Sequence, residues 1–223
     1  MIKVHNLFKG RPSSLPRNPA ITSSINRTAT QDLNIFADHI EGDEVFNKLH
    51  HGGLKRVIHY YPLEHYEYWR NQFPEASFLA GSMGENVSSF GLTEQNVCIG
   101  DVYQIGEVLC SVTEPRKPCA TINHQYQINS LARLVQETTR TGWFFKIITP
   151  GIIRVGDEIL LKDRPYPELN LESCVMALLV NLDRRVLESM VQNEALSDNW
   201  RRPAQEFLNT GLRPDDRKRL GEI

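Results

Sequence analysis

Closely spaced short strands between residues 96 and 161 constrain the fold of this chain more than any other feature of its sequence. The apolar runs, separated mostly by glycine-containing turns, cover residues 96–99, 102–105, 108–112, 143–148, 151–154 and 157–161. Many short strands joined by such turns are typical of antiparallel barrels and sandwiches. The sequence therefore predicts a mainly β protein with a barrel or a sandwich at its centre.

The N-terminal third of the chain adds a few strands and one helix to this prediction. Apolar runs at 4–8, 20–25 and 55–60 predict strands. Pro62 is expected to begin a helix, because a proline at the first helical position loses no hydrogen bond. The aromatic residues of this helix recur at helical spacing, which predicts a face that packs into the core.

The C-terminal part of the chain has a different pattern from the rest. After a proline-rich linker at 163–167, apolar residues recur at helical spacing over 171–180, 183–192 and 198–208. We therefore expect a β-barrel domain at 1–165 and a small C-terminal three-helix extension at 166–223. The charged tail that begins at Arg213 is predicted to be a solvated end.

Composition excludes several classes of partner. The chain has 25 basic and 27 acidic side chains, so its formal net charge is -2, which favours neither nucleic acid nor an anionic membrane as the main partner. The basic residues Lys9, Arg11, Arg17 and Arg27 are expected to form a solvated loop face. Neither a signal peptide nor a run of transmembrane length is recognisable, so a cytoplasmic protein is expected.

One of the four cysteines differs from the others. Cys98, Cys110 and Cys174 lie in apolar runs and are predicted to be buried, whereas Cys119 follows the sequence Arg116-Lys117-Pro118 at the end of a predicted strand. Nearby cations favour the thiolate, which is the form that attacks electrophiles or binds soft metals. An inert, packed thiol remains the alternative at this point.

Histidines supply the second group of candidate residues. His51 precedes Gly52 and Gly53, and two successive glycines allow the backbone to approach a ligand closely, so that His51 is free to face it. His59 and His65 flank a predicted strand-to-helix turn, but their spacing matches no zinc motif.

Several short motifs occur together in one order over residues 40–160. They are Glu41-Gly42-Asp43, His51-Gly52-Gly53 with Arg56 and His59-Tyr60, Gly84-Glu85-Asn86, Gly91-Leu92-Thr93-Glu94, Ile99-Gly100-Asp101, Pro115-Arg116-Lys117-Pro118-Cys119, Gly142-Trp143 and Gly156-Asp157. Together they resemble the MOSC domains, a family named for the C-terminal part of molybdenum cofactor sulfurases, and in particular its YiiM-like branch. Each motif is weak alone, but their ordered co-occurrence is specific.

The resemblance implies a MOSC-type β-barrel that binds the molybdenum cofactor, a pterin whose dithiolene holds molybdenum. By position, Cys119 is implied to be the thiolate ligand of the metal. Residues implied to bind the cofactor through charge or hydrogen bonds are Arg56, Arg116, Lys117, Gly52, His51, Glu85 and Asn86.

The implied function is a molybdenum-dependent reductase of N-hydroxylated compounds, such as hydroxylaminopurine-type base analogues. His51 or His59 could deliver the proton that the leaving oxygen needs. Electrons are expected from a separate, flavin-containing reductase, because the chain has no flavin, haem or iron–sulfur signature. A carrier of the cofactor or of a persulfide is the alternative, and a thiol hydrolase ranks last because the sequence places no histidine beside Cys119.

Overall fold

A computed structural model describes residues 1–46 and 52–223 of the chain. The described residues form twelve strands. They are β1 Asn6–Lys9, β2 Ser13–Leu15, β3 Asn18–Ser23, β4 Thr28–Thr30, β5 Asp32–Ile35, β6 Ile58–Tyr60, β7 Val87–Ser88, β8 Val102–Ile105, β9 Val108–Pro115, β10 Trp143–Thr149, β11 Gly151–Arg154 and β12 Ile159–Asp163.

Eight of these strands form one curled sheet in the order β12-β8-β9-β10-β6-β7-β1-β4. All of its pairs are antiparallel except β6 with β7. Two smaller sheets, β11 with β5 and β2 with β3, complete the β structure. The prediction of a mainly β, barrel-like fold followed by a helical part is therefore confirmed.

The described residues also form short helices around the sheet. They are α1 Leu63–Gln72, α2 Thr121–Tyr126, α3 Leu131–Glu137, α4 Leu171–Val175, α5 Arg184–Gln192, α6 Asp198–Thr210 and α7 Arg217–Leu220. Helix α4 continues as a π-helix over Met176–Val180. Pro62 occupies the N-cap position of α1, so the helix begins one residue later than predicted. No helix within the described ranges is long and apolar enough to cross a membrane.

The strand predicted at 96–99 is wrong. Its N–H groups bind partners outside any strand, because the Asp101 carboxylate accepts the Cys98 N–H at 2.9 Å and the Leu169 carbonyl accepts the Ile99 N–H at 3.0 Å. Cys98 makes only an isolated bridge, with Asn170. This segment is a turn that receives the linker to the C-terminal helices.

The strands β9 and β10 lie at the centre of the large sheet and separate the core from the functional side. Along β10, Trp143 and Phe145 are fully buried in the core, whereas Phe144 between them points to the opposite face. The neighbours of Phe144 across the two adjacent strands are Glu114 and His59. This row of three side chains leads to the candidate site.

One apolar cluster runs from the sheet into the C-terminal helices. It contains Trp143 and Phe145 of β10 together with Leu178, Leu187 and Trp200 of the helical part. The boundary predicted near residue 165 lies between β12 and α4, and buried apolar contacts continue across it.

The C-terminal tail is only in part the solvated end that the sequence predicts, since Arg213, Asp215 and Arg217 are exposed whereas Leu220 is not. Helix α7 returns to the β domain, where Leu220 is only 3% exposed. Leu220 joins a second apolar cluster that includes Tyr66, Ile122 and Tyr126. A single leucine within a charged tail gives a weak sequence signal, but its burial fixes the tail beside α2.

Candidate active site

A cavity of about 270 Å³ lies beside the large sheet. Its lining includes Arg116 after the end of β9, His59 of β6 and Phe144 of β10, and residues of the turn at 83–86. Residues 22–25 and 43–46 cover its other side. Its lining includes one thiol, one imidazole and three guanidinium groups, from Cys119, His59, Arg27, Arg56 and Arg116. Residues distant in sequence therefore form one polar, cationic site.

Cys119 differs from the other cysteines as predicted. It is partly exposed and lines the cavity, whereas Cys98, Cys110 and Cys174 are buried. Burial raises the pKa of each of these three thiols. Cys119 is therefore the thiol of this chain that a ligand or reagent can reach.

Cys119 lies two residues before helix α2, a helix that the sequence pattern does not predict. The Cys119 carbonyl accepts the Ile122 N–H at 3.2 Å. The Cys119 Sγ lies 3.4 Å from Thr121 Oγ1, and Thr121 also lines the cavity. Once the sulfur is a thiolate, the hydroxyl can donate to it, so Thr121 is a polar contact that the motifs did not indicate.

Arg116 points into the cavity from the loop before Cys119. Its N–H donates to the Gly142 carbonyl at 2.9 Å, and its Nη1 donates to the Met83 carbonyl at 2.7 Å. Gly142 has a φ of +68°, and a Cβ there would lie 2.4 Å from the Tyr60 carbonyl oxygen. The Gly142-Trp143 motif thus permits the close approach that anchors the Arg116 loop.

Arg27 is part of the site, which corrects the prediction that it lies on a solvated loop face. Its Nε and Nη2 bind the two Asp43 oxygens at 2.7 and 2.8 Å, and the pair is almost fully buried. Arg27 also donates to the Gly84 carbonyl. Asp43 belongs to the Glu41-Gly42-Asp43 motif, so this motif positions a guanidinium group at the cavity.

Arg56 reaches the cavity beside a buried carboxylate. Its Nε donates to Glu114, and its guanidinium lies 5.5 Å from the centre of the Phe144 ring. Ser197, at the start of α6, donates to the other Glu114 oxygen. Burial raises the pKa of Glu114, and the charge of Arg56 opposes this effect.

His59 and Asn86 line the cavity together with the thiol loop, which is the segment 116–119 that carries Arg116 and Cys119. The His59 Nδ1 donates to the Gly84 carbonyl at 2.8 Å, and Asn86 Oδ1 accepts the His59 N–H at 3.0 Å. Gly84 has a φ of +78°, and a Cβ there would lie 3.0 Å from Ile25 Cγ1. Because a carbonyl can only accept, this contact assigns a proton to Nδ1.

Two predicted cofactor-binding residues have other surroundings. Glu85 is fully buried away from the cavity lining, where it accepts bonds from Tyr66 Oη and the Gly81 N–H, both at 2.6 Å. Burial raises the pKa of Glu85. Lys117 Nζ donates to the Asn199 carbonyl at 2.8 Å and lies 5.1 Å from the centre of the Trp200 ring.

The glycine–histidine motif is only partly described. Gly52 is not among the described residues that line the cavity, and His51 lies outside the described residues. Its predicted roles in proton delivery and cofactor binding stay predictions.

The donor set fits a metal that arrives inside an anionic organic cofactor. Among residues 1–46 and 52–223, no group of three or more His, Cys, Asp and Glu side chains could hold a metal ion. Among the described residues, the Cys119 thiolate is the candidate metal ligand, and a cofactor that brings its own ligands would complete the coordination. The guanidinium groups of Arg56 and Arg116 suit its phosphate and other oxygen acceptors.

Comparison with known proteins assigns the chain to a class. The family model for the MOSC domain matches residues 47–160. The chain therefore belongs to the MOSC-domain family, as the ordered motifs predicted.

Individual relatives support this assignment over most of the chain. Protein YiiM of Escherichia coli is 36% identical over 183 residues, which are 81% of this chain and 82% of the relative. The crystal structure of Escherichia coli YiiM matches with a TM-score of 0.82 at 28% identity, covering 99% of this chain and 98% of that one. A protein of Gibberella moniliformis named "Reductase" is 37% identical over 139 residues, which are 60% of this chain and 25% of the fungal protein. Membership of the family fits a function related to the molybdenum cofactor.

Proposed function

We propose that the protein binds the molybdenum cofactor through Cys119 and reduces N-hydroxylated compounds, with hydroxylaminopurine-type base analogues as the candidate substrates. The observation that carries this proposal is the accessible Cys119 thiol in a cavity lined by the guanidinium groups of Arg27, Arg56 and Arg116. A soft ligand beside anion-binding groups matches a metal bound by an anionic pterin.

The chain's own residues would divide the work of binding. Cys119 supplies one ligand, while Arg56 and Arg116 bind the anionic groups of the pterin and Asn86 offers a polar contact in the cavity lining. When bound, the cofactor supplies two-electron redox chemistry at molybdenum. The predicted contributors to cofactor binding still include His51, Gly52, Glu85 and Lys117. Glu85 does not line the cavity and would contribute by accepting the Gly81 N–H in the turn that carries Gly84.

The overall reaction consumes protons that the cavity must deliver. An R–NHOH substrate takes up two electrons and two protons and gives R–NH₂ and water, so the N–O bond breaks and the oxygen leaves protonated. His59 lines the cavity, and its Nε2 is the atom at which it can hold and release a proton. The protein thus combines orientation, charge and proton transfer around the bound cofactor.

A separate, flavin-containing reductase is the source of the two electrons. The proposed setting is cytoplasmic, because the four cysteines are present as free thiols and reducing compartments keep them so. A small N-hydroxylated molecule is the substrate partner.

The decisive experiment measures metal and turnover in the same preparations. The protein and its Cys119→Ser variant are purified from a host that makes the cofactor, assayed for molybdenum and pterin, and tested for reduction of an N-hydroxylated base with a chemical electron donor. We expect Cys119→Ser to lose activity by at least about tenfold to a hundredfold, since the loss even of an outer-shell partner of a metal ligand typically costs that much. Cys98→Ser is the matched control, because Cys98 is buried, does not line the cavity, and forms a sulfur hydrogen bond, among the described residues, only with the Pro167 carbonyl.

Each other outcome separates the alternatives. Bound metal without turnover favours a cofactor carrier. Absence of both molybdenum and pterin from the wild-type protein rejects the reductase and the carrier together. Full activity of Cys119→Ser rejects the role assigned to the thiol.

A further inference from the structure

The Cys119 loop is held from outside the cavity by one residue of the C-terminal tail. The guanidinium group of Arg219 donates through Nη1 to the Pro118 carbonyl, and the Arg219 carbonyl accepts the Ala120 N–H at 2.8 Å. The first contact holds the peptide group before Cys119, and the second holds the peptide group after it. A single residue therefore fixes both peptide planes that determine where the Cys119 side chain points.

Arg219 is itself fixed by two further side chains. Its Nη2 donates to Gln136 Oε1 at 2.6 Å and lies 2.7 Å from Asp216 Oδ1. Gln136 is buried and also donates to the Leu179 carbonyl at 3.2 Å. Hydrogen bonds to charged groups are stronger than neutral ones, so this network can hold the guanidinium in one position.

Neighbouring residues of the tail add apolar and steric contacts to the same loop. Leu220 is buried, and its carbonyl accepts Asn123 Nδ2 at 3.0 Å. Gly221 has a φ of +78°, and a Cβ there would lie 2.8 Å from the Cβ of Ala120. The tail is thus fitted closely to the residues on the C-terminal side of the thiol.

We propose that Arg219 is a positioning residue for the candidate site, which sets the direction in which Cys119 Sγ faces the cavity. The functional value of that direction rests on the proposed role of Cys119 as a metal ligand, because a metal–thiolate bond needs its sulfur at a fixed place. Arg219 does not line the cavity and acts through the loop alone.

The test uses the reactivity of Cys119 in full-length, cofactor-free protein. Iodoacetamide alkylation of Cys119 is followed by peptide mass spectrometry, with the three buried cysteines as internal markers of unfolding. We expect Arg219→Ala to change the alkylation rate by about tenfold to a hundredfold toward faster reaction, the population change expected for loss of one charge-assisted hydrogen bond. Arg219→Lys keeps a donor for one acceptor and should give an intermediate rate.

Two further variants make the test specific. Arg217→Ala is the matched control, because Arg217 is on the same short helix but pairs with Asp215 in solvent; it should leave the rate unchanged. Gly221→Ala keeps every charge but places a methyl group against Ala120, and it should also speed alkylation. In cofactor-loaded protein, Arg219→Ala should lose molybdenum faster than Arg217→Ala during gel filtration.

The outcomes can be told apart from those of the proposed function. Equal alkylation rates in Arg219→Ala and Arg217→Ala would overturn the inference, and so would faster alkylation accompanied by reaction of the buried cysteines. If wild-type protein binds no molybdenum, the proposed function fails, whereas the alkylation result still decides whether Arg219 positions the thiol.

Discussion

Adjacent residues of the thiol loop serve opposite sides of the protein. Arg116 lines the cavity, whereas Lys117 lies against Trp200 in the helical part. Successive side chains of an extended segment point in opposite directions, so only one of the two can face the cavity. Burial lowers the pKa of Lys117 to about 8, and the positive charge of Arg219 adds to this effect. A basic dipeptide in a sequence therefore does not indicate two ligand-binding charges.

Glu85 gives a prediction at the same scale. Because burial raises its pKa above 4.5, the folded chain holds this proton more tightly than the unfolded chain does. The wild-type protein should therefore lose stability as the pH rises from about 4.5 through the raised value. Glu85→Gln cannot ionise, so its free energy of unfolding relative to wild type should increase with pH, by about 1.4 kcal/mol for each pKa unit between the two states.

The matched control for this measurement is Glu188→Gln, since Glu188 is exposed on α5. Urea midpoints of cofactor-free protein at several pH values between 4.5 and 8 are sufficient. A difference between Glu85→Gln and wild type that stays constant with pH would show that the carboxyl does not titrate as its burial indicates.

At the scale of elements, the strand β9 and the helix α6 meet through one buried carboxylate. Glu114 ends the strand between Arg56 at the cavity and Ser197 at the helix start. Ser197 occupies the N-cap position of α6, yet its side chain makes no capping hydrogen bond. Its hydroxyl instead connects the C-terminal helices to the carboxylate that holds a cavity guanidinium.

Removal of this hydroxyl should destabilise the protein. We expect Ser197→Ala to lower the free energy of unfolding by about 1–3 kcal/mol, because a buried carboxylate loses a hydrogen-bond donor. Denaturant unfolding measures the change. Ser189→Ala is the control, since Ser189 is exposed on α5 and, within the described part of the chain, its hydroxyl hydrogen-bonds only to the Arg185 carbonyl. Equal, small effects of both variants would contradict a role for the Glu114 contact.

Elements with clear periodicity were predictable, whereas those fixed by distant partners were not. Residues 102–105 and 151–154 were predicted as strands with the bounds that β8 and β11 have, because apolar residues and turn glycines define them locally. Helix α2 spans six residues, which is too short for a helical period to show. The motifs identified Cys119, Arg116 and Arg56, but the Arg27–Asp43 pair and the tail depend on contacts that a local pattern does not contain.

For the whole molecule, the continuous apolar cluster bears on whether the two predicted domains unfold separately. Trp143 of the sheet and Trp200 of α6 belong to the same cluster. We expect the slowest-exchanging amides of β10 and α6 to open with free energies that agree within about 1 kcal/mol, as in a single cooperative unit. Hydrogen exchange followed by mass spectrometry measures both segments, and an α6 that opens several kcal/mol more easily would instead favour an independent domain at 166–223.

The contact between the tail and the thiol loop also has a consequence for biosynthesis. Pro118 and Arg219, which meet in the folded protein, are 101 residues apart in the chain. Because synthesis proceeds from the N-terminus, the sheet can form on the ribosome while the Cys119 loop still lacks its contact with Arg219. The contact can therefore form only after Arg219 has left the ribosome, so tight cofactor loading should follow synthesis of the segment that carries Arg219.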